Sequence, residues 1–267
     1  MTTHNNTPLK VIQITDTHIR SRPGSRLWGV DVDQSLNAVL EHVRNEHWPA
    51  DLVLLTGDLV QDEGAAAYQR LIEFMQPMQT PVYCLPGNHD DPTVMAETLV
   101  SAQVSFQRHL IHGAWQFIFL DSSLRGTPAG HLGDAELNYL DDALSSHPGQ
   151  HAMVCLHHHP VTVNTPWLDT MVVDDSDEFF AVLEKHSQVR AVIWGHIHQS
   201  FSCQYKNMQL FATPSTCVQF KPGSIDAQDD EISPGYRWFE LNPDGSLLTG
   251  VERVDYRIST IGELHLS

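Results

Sequence analysis

Residues 11–18 read VIQITDTH, an apolar run that ends in the polar residues Asp16, Thr17 and His18. The run is short and almost continuous, which is typical of a strand buried on both faces of a sheet. Side chains two positions apart point the same way in an extended chain, so Asp16 and His18 can face one ion. This stretch therefore predicts a buried strand that delivers two ligand-type side chains at its carboxyl end.

The same arrangement recurs along the chain. Strands are predicted at residues 11–15, 52–56, 81–85, 116–120, 152–156 and 191–194. Five of them are followed by polar clusters: Asp16-Thr17-His18, Gly57-Asp58, Gly87-Asn88-His89-Asp90, His157-His158-His159 and Gly195-His196-Ile197-His198. The carboxyl ends of strands form the edge at which open α/β sheets bind ligands. Carboxylate, amide and imidazole groups without thiolates favour Mn, Fe or Zn over softer metals.

Helical patterns alternate with these strands and indicate an α/β fold. Apolar residues spaced three and four apart predict a helix around residues 36–43, with Asp33 as its expected N-cap. Further helices are predicted at residues 65–75, 133–145 and 176–186. Strand patterns at 209–212, 236–241 and 247–253 lack helices between them and suggest a second, more antiparallel sheet. The polar residues 221–234 are expected to form a mobile loop.

Composition excludes several function classes. The 267 residues include 33 acids and 15 bases, for a net charge of −18, which argues against nucleic-acid and anionic-membrane partners. No apolar run approaches the ~20 residues that a membrane helix requires. The polar residues 1–9 do not resemble a secretory signal, and the four cysteines contain no Cys-x-x-Cys pair. We therefore expect reduced thiols and a cytoplasmic location.

Together the five polar clusters resemble the signature of calcineurin-like metallophosphoesterases, over about residues 10–220. Residues 13–18, 156–160 and 212–222 further resemble the bacterial class III cyclic-nucleotide phosphodiesterases that act on 3′,5′-cyclic AMP. The resemblance implies a four-layer α/β/β/α sandwich with two central mixed sheets. It also implies one domain over residues 1–267, in which residues 1–8 are expected to be a disordered tail.

The resemblance further implies a dinuclear centre, with iron or manganese as the expected metals and zinc, magnesium or cobalt as possible substitutes in vitro. The first metal would be held by Asp16, His18, Asp58 and His198, and the second by Asn88, His157, His196 and the bridging Asp58. The run of three histidines leaves His158 as an alternative to His157. His159 precedes Pro160, which favours an extended backbone, and is interpreted as a shaping residue.

The implied reaction is hydrolysis of 3′,5′-cyclic AMP to 5′-AMP by a metal-bound hydroxide. The resemblance implies that Asp58 and His89 are catalytic, and that the phosphate contacts His18, Asp58, Asn88, His89 and His198. Many relatives have an acid three positions after the bridging aspartate, whereas this chain has Gln61 there and Asp62 next. Which of the two orients His89, if either does, stays open.

Two other readings share these residues. An enzyme of the same fold could act on another phosphoester, since loops choose the substrate. A non-catalytic scaffold of this fold would be expected to lack ligands, whereas all seven ligand positions hold ligand-type residues. The expected partner is a small cyclic nucleotide, and the sequence does not decide between a monomer and a homodimer.

Overall fold

Two six-stranded mixed sheets form the centre of the structure, a computed structural model that describes residues 7–62 and 64–255. The strands in these residues are β1 (Leu9–Ile14), β2 (Arg26–Leu27), β3 (Val30–Asp31), β4 (Leu52–Thr56), β5 (Val82–Leu85), β6 (Val104–Phe106), β7 (His109–His112), β8 (Trp115–Phe119), β9 (His151–Cys155), β10 (Val189–Trp194), β11 (Phe201–Tyr205), β12 (Met208–Ala212), β13 (Gln219–Phe220), β14 (Asp229–Asp230), β15 (Gly235–Leu241) and β16 (Leu247–Arg253).

The helices lie between these strands along the chain. They are α1 (Val32–Glu46), α2 (Ala65–Met75), α3 (Pro92–Thr98), α4 (Gly133–Ser146) and α5 (Ser176–Leu183), with 3-10 turns at Gln76–Met78 and Leu168–Met171. The first sheet has the strand order β16-β15-β1-β4-β5-β6, and the second has the order β11-β12-β10-β9-β8-β7.

Three apolar cores separate four layers. Alternation along β1 sends Ile12 and Ile14 into the core beneath α1 and α2, and Val11 into the core between the sheets. The second sheet repeats this pattern, because Val154 faces the helices α4 and α5 while Met153 faces the first sheet. The predicted α/β/β/α sandwich with two mixed sheets is confirmed.

The prediction of a separate antiparallel sheet near the C-terminus is wrong. β12 runs parallel to β10 inside the second sheet, whereas β15 pairs antiparallel with β1 and extends the first sheet. The pattern of each strand was correct, but strand order depends on contacts between Lys10 and Glu240 or Ala191 and Gln209 that local sequence does not encode.

The expected cap of α1 is also wrong. The Asp31 side chain accepts a hydrogen bond from the backbone N–H of Gln34 and caps the helix, which therefore begins earlier than the apolar spacing indicated. Asp33 instead accepts from Gly24 N–H and from the guanidinium of Arg70 at 2.8 Å.

The predicted mobile loop lies within the described residues, whereas most of the predicted disordered tail does not. Residues 221–228 connect β13 to β14, which pair as a short hairpin, and Lys221 N–H donates to the carbonyl of Gln228. Whether that segment moves stays a prediction. The expected disordered tail at residues 1–8 lies outside the described residues apart from Thr7 and Pro8.

Candidate metal centre

Five strand ends meet at one edge of the sandwich. β1, β4 and β5 are parallel neighbours in the first sheet, and β9 and β10 are parallel neighbours in the second. All five carboxyl ends therefore lie on the same side. The Gln13 side chain links the sheets there, because its amide donates to Thr56 Oγ1 and to the Trp194 carbonyl at 3.1 Å.

The backbone is strained at this edge. Nine non-glycine residues in the described chain have positive φ, and five of them are candidate ligands: Asp16, His18, Asp58, His196 and His198. Left-handed backbone is unfavourable for residues with a Cβ and concentrates at functional sites. The backbone conformation is therefore energetically unfavourable at the positions where the polar side chains converge.

Two glycines allow the close approach of these loops. Gly57 has φ +88°, and a Cβ on it would overlap the ring of His157. A Cβ on Gly195 would overlap the Thr15 hydroxyl and lie 2.6 Å from Asp16 Oδ2. Glycine at both positions is thus required to bring side chains from the two sheets into contact.

One group of candidate ligands contains Asp16, His18 and His198. Their ligand atoms all lie within 4.8 Å of one another. His198 Nε2 is 3.2 Å from Asp16 Oδ1 and 3.3 Å from His18 Nε2. The Val218 carbonyl bonds His198 Nδ1 at 2.7 Å, which turns Nε2 toward the group. A hydrogen bond to the ring nitrogen that does not face the metal is the usual means of orienting a metal-binding imidazole.

A second group lies beside the first and contains His157 and Asp58. His157 Nε2 is 3.3 Å from Asp58 Oδ1 and 3.9 Å from Asp16 Oδ1. Its Nδ1 bonds the Thr56 carbonyl at 2.9 Å, so Nε2 points inward. His157, His158 and His196 also bring their ligand atoms within 4.8 Å of one another. The structure thus brings together both alternatives from the histidine run, although Ser122 Oγ bonds His158 Nδ1 at 2.9 Å.

Several buried polar atoms at this edge have no hydrogen-bond partner in the described chain. They include His18 Nδ1, Asn88 Oδ1, His157 Nε2 and His196 Nε2. Leaving buried polar atoms unpaired costs free energy, and native proteins rarely do so without a reason. The unpaired atoms are nitrogen and oxygen donors of the kind that bind divalent metals, so the residues present fit a metal centre.

Electrostatics agree with this interpretation. Burial raises the pKa of Asp58, but His157 and His18 outweigh burial and hold it well below its usual range. Burial lowers the pKa of His157, but Asp58 and Asp16 raise it to about 9. Burial lowers the pKa of His18 to about 3, and burial with neighbouring histidines keeps the pKa of His196 well below its usual range. Asp58 is therefore charged, and His18 and His196 are neutral, as metal binding requires, whereas His157 would release a proton when a metal replaces it.

A pocket of about 240 Å³ opens over these groups, and its lining includes His18, Asp58, Asn88, His89, His196 and His198. The backbone N–H of His89 donates to Asp58 Oδ1 at 2.9 Å, and the His89 ring lies edge-on to His18. Gln61 Nε2 is 3.0 Å from His89 Nδ1, whereas Asp62 bonds Ser21. Of the two candidates, Gln61 is therefore the one that contacts the His89 ring in the described chain.

Sequence reasoning gave no role to two residues, Asp90 and Thr15, that hold this edge together. Asp90 accepts hydrogen bonds from Gly87 N–H, Leu59 N–H and the Tyr68 hydroxyl, which ties the loops after β4 and β5 to each other. Its position in the Gly-Asn-His-Asp block was the available signal. Thr15 Oγ1 donates to Asp16 Oδ2 at 2.7 Å, and only its place beside a candidate ligand marked it.

Two other features compete as sites. A larger cavity, of about 720 Å³, lies at the amino ends of the parallel strands and is lined by Leu9, Trp115 and Leu241 among others. His131, Asp174 and Asp175 form a surface group of possible ligands, but His131 already bonds Asp174 at 2.7 Å. The convergence of unpaired, buried ligand atoms distinguishes the pocket over the strand ends from both.

Comparison with known sequences gives the following relatives. The family model described as calcineurin-like phosphoesterase matches residues 9–200. The chain is 38% identical to the 3′,5′-cyclic adenosine monophosphate phosphodiesterase CpdA of Vibrio vulnificus over 247 residues, 92% of this chain and 90% of that protein. It is 39% identical to the protein of the same name from Escherichia coli over the same shares. A 3′,5′-cyclic-nucleotide phosphodiesterase from Nostoc is 36% identical over 94% of both chains.

Solved structures share the fold. A dimetal phosphatase from Danio rerio has a TM-score of 0.68 at 15% identity, covering 92% of this chain and 96% of that one. A second neighbour, GAP50 of the Plasmodium inner membrane complex, has a TM-score of 0.64 at 15% identity over 94% and 90%. Within the described residues, no helix combines the length and the apolar character needed to cross a membrane.

Proposed function

Because the chain belongs to the calcineurin-like phosphoesterase family, we propose that it hydrolyses 3′,5′-cyclic AMP to 5′-AMP with the help of two divalent cations. The proposal is supported by relatives that carry the name of this activity and align over nine-tenths of their length. The likeness extends beyond the loops that hold the polar clusters and includes most of the chain. The proposed substrate class is therefore a cyclic nucleotide rather than an unspecified phosphoester.

The observation that carries the metal dependence is the set of unpaired buried atoms at the strand ends. His18 Nδ1, Asn88 Oδ1, His157 Nε2 and His196 Nε2 would each leave an unmet hydrogen bond in a protein without metal. Asp16 and Asp58 supply negative charge that such cations would neutralise.

We divide the ligands as follows. The first cation would be held by Asp16, His18, Asp58 and His198, and the second by Asn88, His157, His196 and the shared Asp58. We favour His157 over His158 as a ligand because its Nε2 is 3.3 Å from Asp58 and the Thr56 carbonyl already fixes its other nitrogen. When bound, two such cations supply Lewis acidity for phosphate oxygens and lower the pKa of water to near neutral. The nitrogen and oxygen donors suit iron or manganese.

The remaining roles fall to side chains of the pocket. His89 lies beside the ligands without belonging to either proposed set, so it can hold a phosphate oxygen and give a proton to the leaving ribose oxygen. Gln61 Nε2 contacts His89 Nδ1, which leaves Nε2 as the ring nitrogen that is free to reach substrate. His18, Asp58, Asn88 and His198, which line the same pocket, would also contact the phosphate.

The test is hydrolysis by protein stripped of metal and then reloaded with Mn²⁺ or Fe²⁺, with the products separated by chromatography. The proposal requires 5′-AMP to accumulate from cyclic AMP only after reloading. A second arm offers an aryl phosphodiester to the same preparation. If the aryl ester is cleaved and cyclic AMP is not, the metal centre stands and the proposed substrate is wrong. If neither is cleaved after metal uptake has been measured, the proposed activity is wrong.

A further inference from the structure

Three aromatic side chains stand beside the metal centre, and we call Trp28, Trp167 and Phe220 the aromatic wall. All three line the same pocket as His18, Asn88 and His89. The ring of Phe220 lies flat against the candidate ligand His198, with centroids 4.2 Å apart and planes 12° from parallel. The aromatic wall is therefore in direct contact with the candidate metal ligands.

The members of the wall hold one another in place. Trp167 meets Phe220 edge-on at 5.0 Å, and its indole N–H donates to Ser224 Oγ at 3.0 Å. Trp28 lies 5.6 Å from Phe220 with a tilt of 59°. Phe220 is thus stacked on His198 and in T-shaped contact with Trp167, while Trp28 reaches it from a different part of the chain.

Trp28 occupies a position that its own backbone disfavours. It and Gly29 form the two-residue turn between β2 and β3, where Leu27 pairs with Val30. Both turn residues have positive φ, 47° and 86°, as in a type I′ turn. Such turns favour Asn-Gly, and positive φ is unusual for a bulky side chain.

Burial does not compensate for this strain. Trp28 is 49% exposed, so much of the large apolar indole is in contact with water. Neither the turn nor the core therefore explains a tryptophan at this position. A flat apolar partner that is present only part of the time would explain both the exposure and the strain.

The ligand that fits is the base of the nucleotide. A purine is planar and apolar on its faces, and it stacks on aromatic side chains with little dependence on its identity. The ribose phosphate attached to it would reach the strand ends from the same pocket. Leu27, Leu168 and Met171 complete an apolar lining around the wall.

We propose that Trp28, backed by Phe220, is the base-stacking residue that makes a cyclic nucleotide a better substrate than a phosphodiester without a base. The inference rests on the proposed function and deepens it, because it assigns the part of the pocket that would recognise the nucleoside. It places specificity on a hairpin turn rather than on the metal ligands.

The test replaces Trp28 with the residue that the turn itself prefers. Trp28→Asn should leave the melting temperature unchanged or higher, so that a loss of function cannot be attributed to misfolding. The KM for cyclic AMP and the inhibition constant of 5′-AMP should both rise about tenfold, the cost of one lost base–aromatic stack. The kcat and the inhibition constant of inorganic phosphate should change by less than about twofold, because phosphate reaches only the metal centre.

Two further variants control the result. Trp28→Phe keeps an aromatic face and should restore most of the nucleotide affinity. Leu248→Asn changes a residue that is 59% exposed on β16 and is not part of the pocket lining, and it should change none of the constants.

The other outcomes overturn the inference. Unchanged KM and 5′-AMP inhibition in Trp28→Asn would exclude base stacking at this residue. A change in oligomeric state with KM unchanged would show that the wall meets a second copy of the chain. An equal weakening of phosphate and 5′-AMP would indicate damage to the metal centre. If the native holoenzyme does not hydrolyse cyclic AMP, the proposed function fails, and calorimetric titration with 5′-AMP and phosphate still decides the role of Trp28.

Discussion

The two ends of the parallel strands carry opposite kinds of cavity. At the amino ends lies the larger one, about 720 Å³, and there the polar groups are paired: His151 Nε2 bonds the Pro243 carbonyl, and Trp115 Nε1 donates to the Asn242 carbonyl. At the carboxyl ends the pocket is about 240 Å³, and buried ligand atoms such as Asn88 Oδ1 and His157 Nε2 are unpaired. The candidate site in this chain is therefore distinguished by its unpaired buried ligand atoms and not by the size of its cavity.

Five of the nine described non-glycine residues with positive φ lie at the carboxyl ends. Asp16, His18, Asp58, His196 and His198 all have positive φ, and each directly follows a buried strand or lies within four residues of its end. These conformations and the burial of two carboxylates cost stability that surrounding contacts must offset. If the division is functional, changes at the carboxyl ends should affect catalysis and changes at the amino ends should affect only stability.

The largest effect is expected from Asp58→Asn. This change removes the charge that both proposed cations would share while keeping the size of the side chain. We expect kcat/KM for cyclic AMP to fall by about 1000-fold or more, because metal contributions to phosphoryl chemistry are worth several kcal/mol. Steady-state kinetics in saturating Mn²⁺ measures kcat/KM. Near-native activity would contradict a catalytic role for the carboxyl ends of the strands.

A smaller effect at the same end is expected from Gln61→Leu. The leucine cannot donate to His89 Nδ1, so the ring loses its fixed orientation while the proposed ligands stay intact. We expect kcat to fall roughly tenfold with metal content unchanged, as for other residues that orient a reacting group. Asp62→Asn is the matched control, since Asp62 bonds Ser21 instead, and it should keep kcat. Equal losses in the two variants would show that Gln61 has no specific role.

His151→Ala tests the amino ends. It removes a ring that bonds the Pro243 carbonyl and packs on Trp115 at the larger cavity. We expect the free energy of unfolding to fall by about 1 kcal/mol, the usual worth of one hydrogen bond, while kcat and KM stay unchanged. Denaturant unfolding and kinetics on the same preparation separate the two effects. A loss of activity comparable to that of Asp58→Asn would reverse the assignment of the two ends.

The smallest effect is a dependence of stability on pH. His109 bonds Gln116 near the amino end of β8; burial lowers its pKa, the Gln116 hydrogen bond partly opposes this, and His147 lowers it further. Because the folded pKa lies below the unfolded value of about 6.5, the unfolded chain binds more protons as the pH falls below 6.5. The native protein should therefore lose stability on acidification, and His109→Gln should lose less. Unfolding curves of both proteins at pH 7.5 and 5.5 measure the difference in stability loss. The kcat and KM of His109→Gln at pH 7.5 should equal those of the native protein.

Much of this division could be predicted from the sequence. The run before Asp16 and the similar runs before Asp58, His157 and His196 predicted strands, because buried parallel strands have nearly continuous apolar sequences. Local pattern also placed the polar clusters at strand ends, and parallel geometry then brought them to one edge.

The rest depends on contacts between distant parts of the chain. Strand order could not be predicted, since the pairing of β15 with β1 joins residues more than 200 positions apart. The cap at Asp31 was missed because the preceding hairpin, not the helix spacing, decides where α1 begins. Trp28 gave only a weak signal, a bulky residue before Gly29, and its approach to Phe220 appears only after folding.

The most direct measurement is a calorimetric titration of the metal-stripped protein with Mn²⁺, beside the Asp58→Asn variant and the His151→Ala control. The account predicts two equivalents of metal in the native protein and in His151→Ala, with weakened or lost binding in Asp58→Asn. Binding of two equivalents with native affinity in Asp58→Asn, or no binding by the native protein, would contradict a metal centre at the carboxyl ends of the strands.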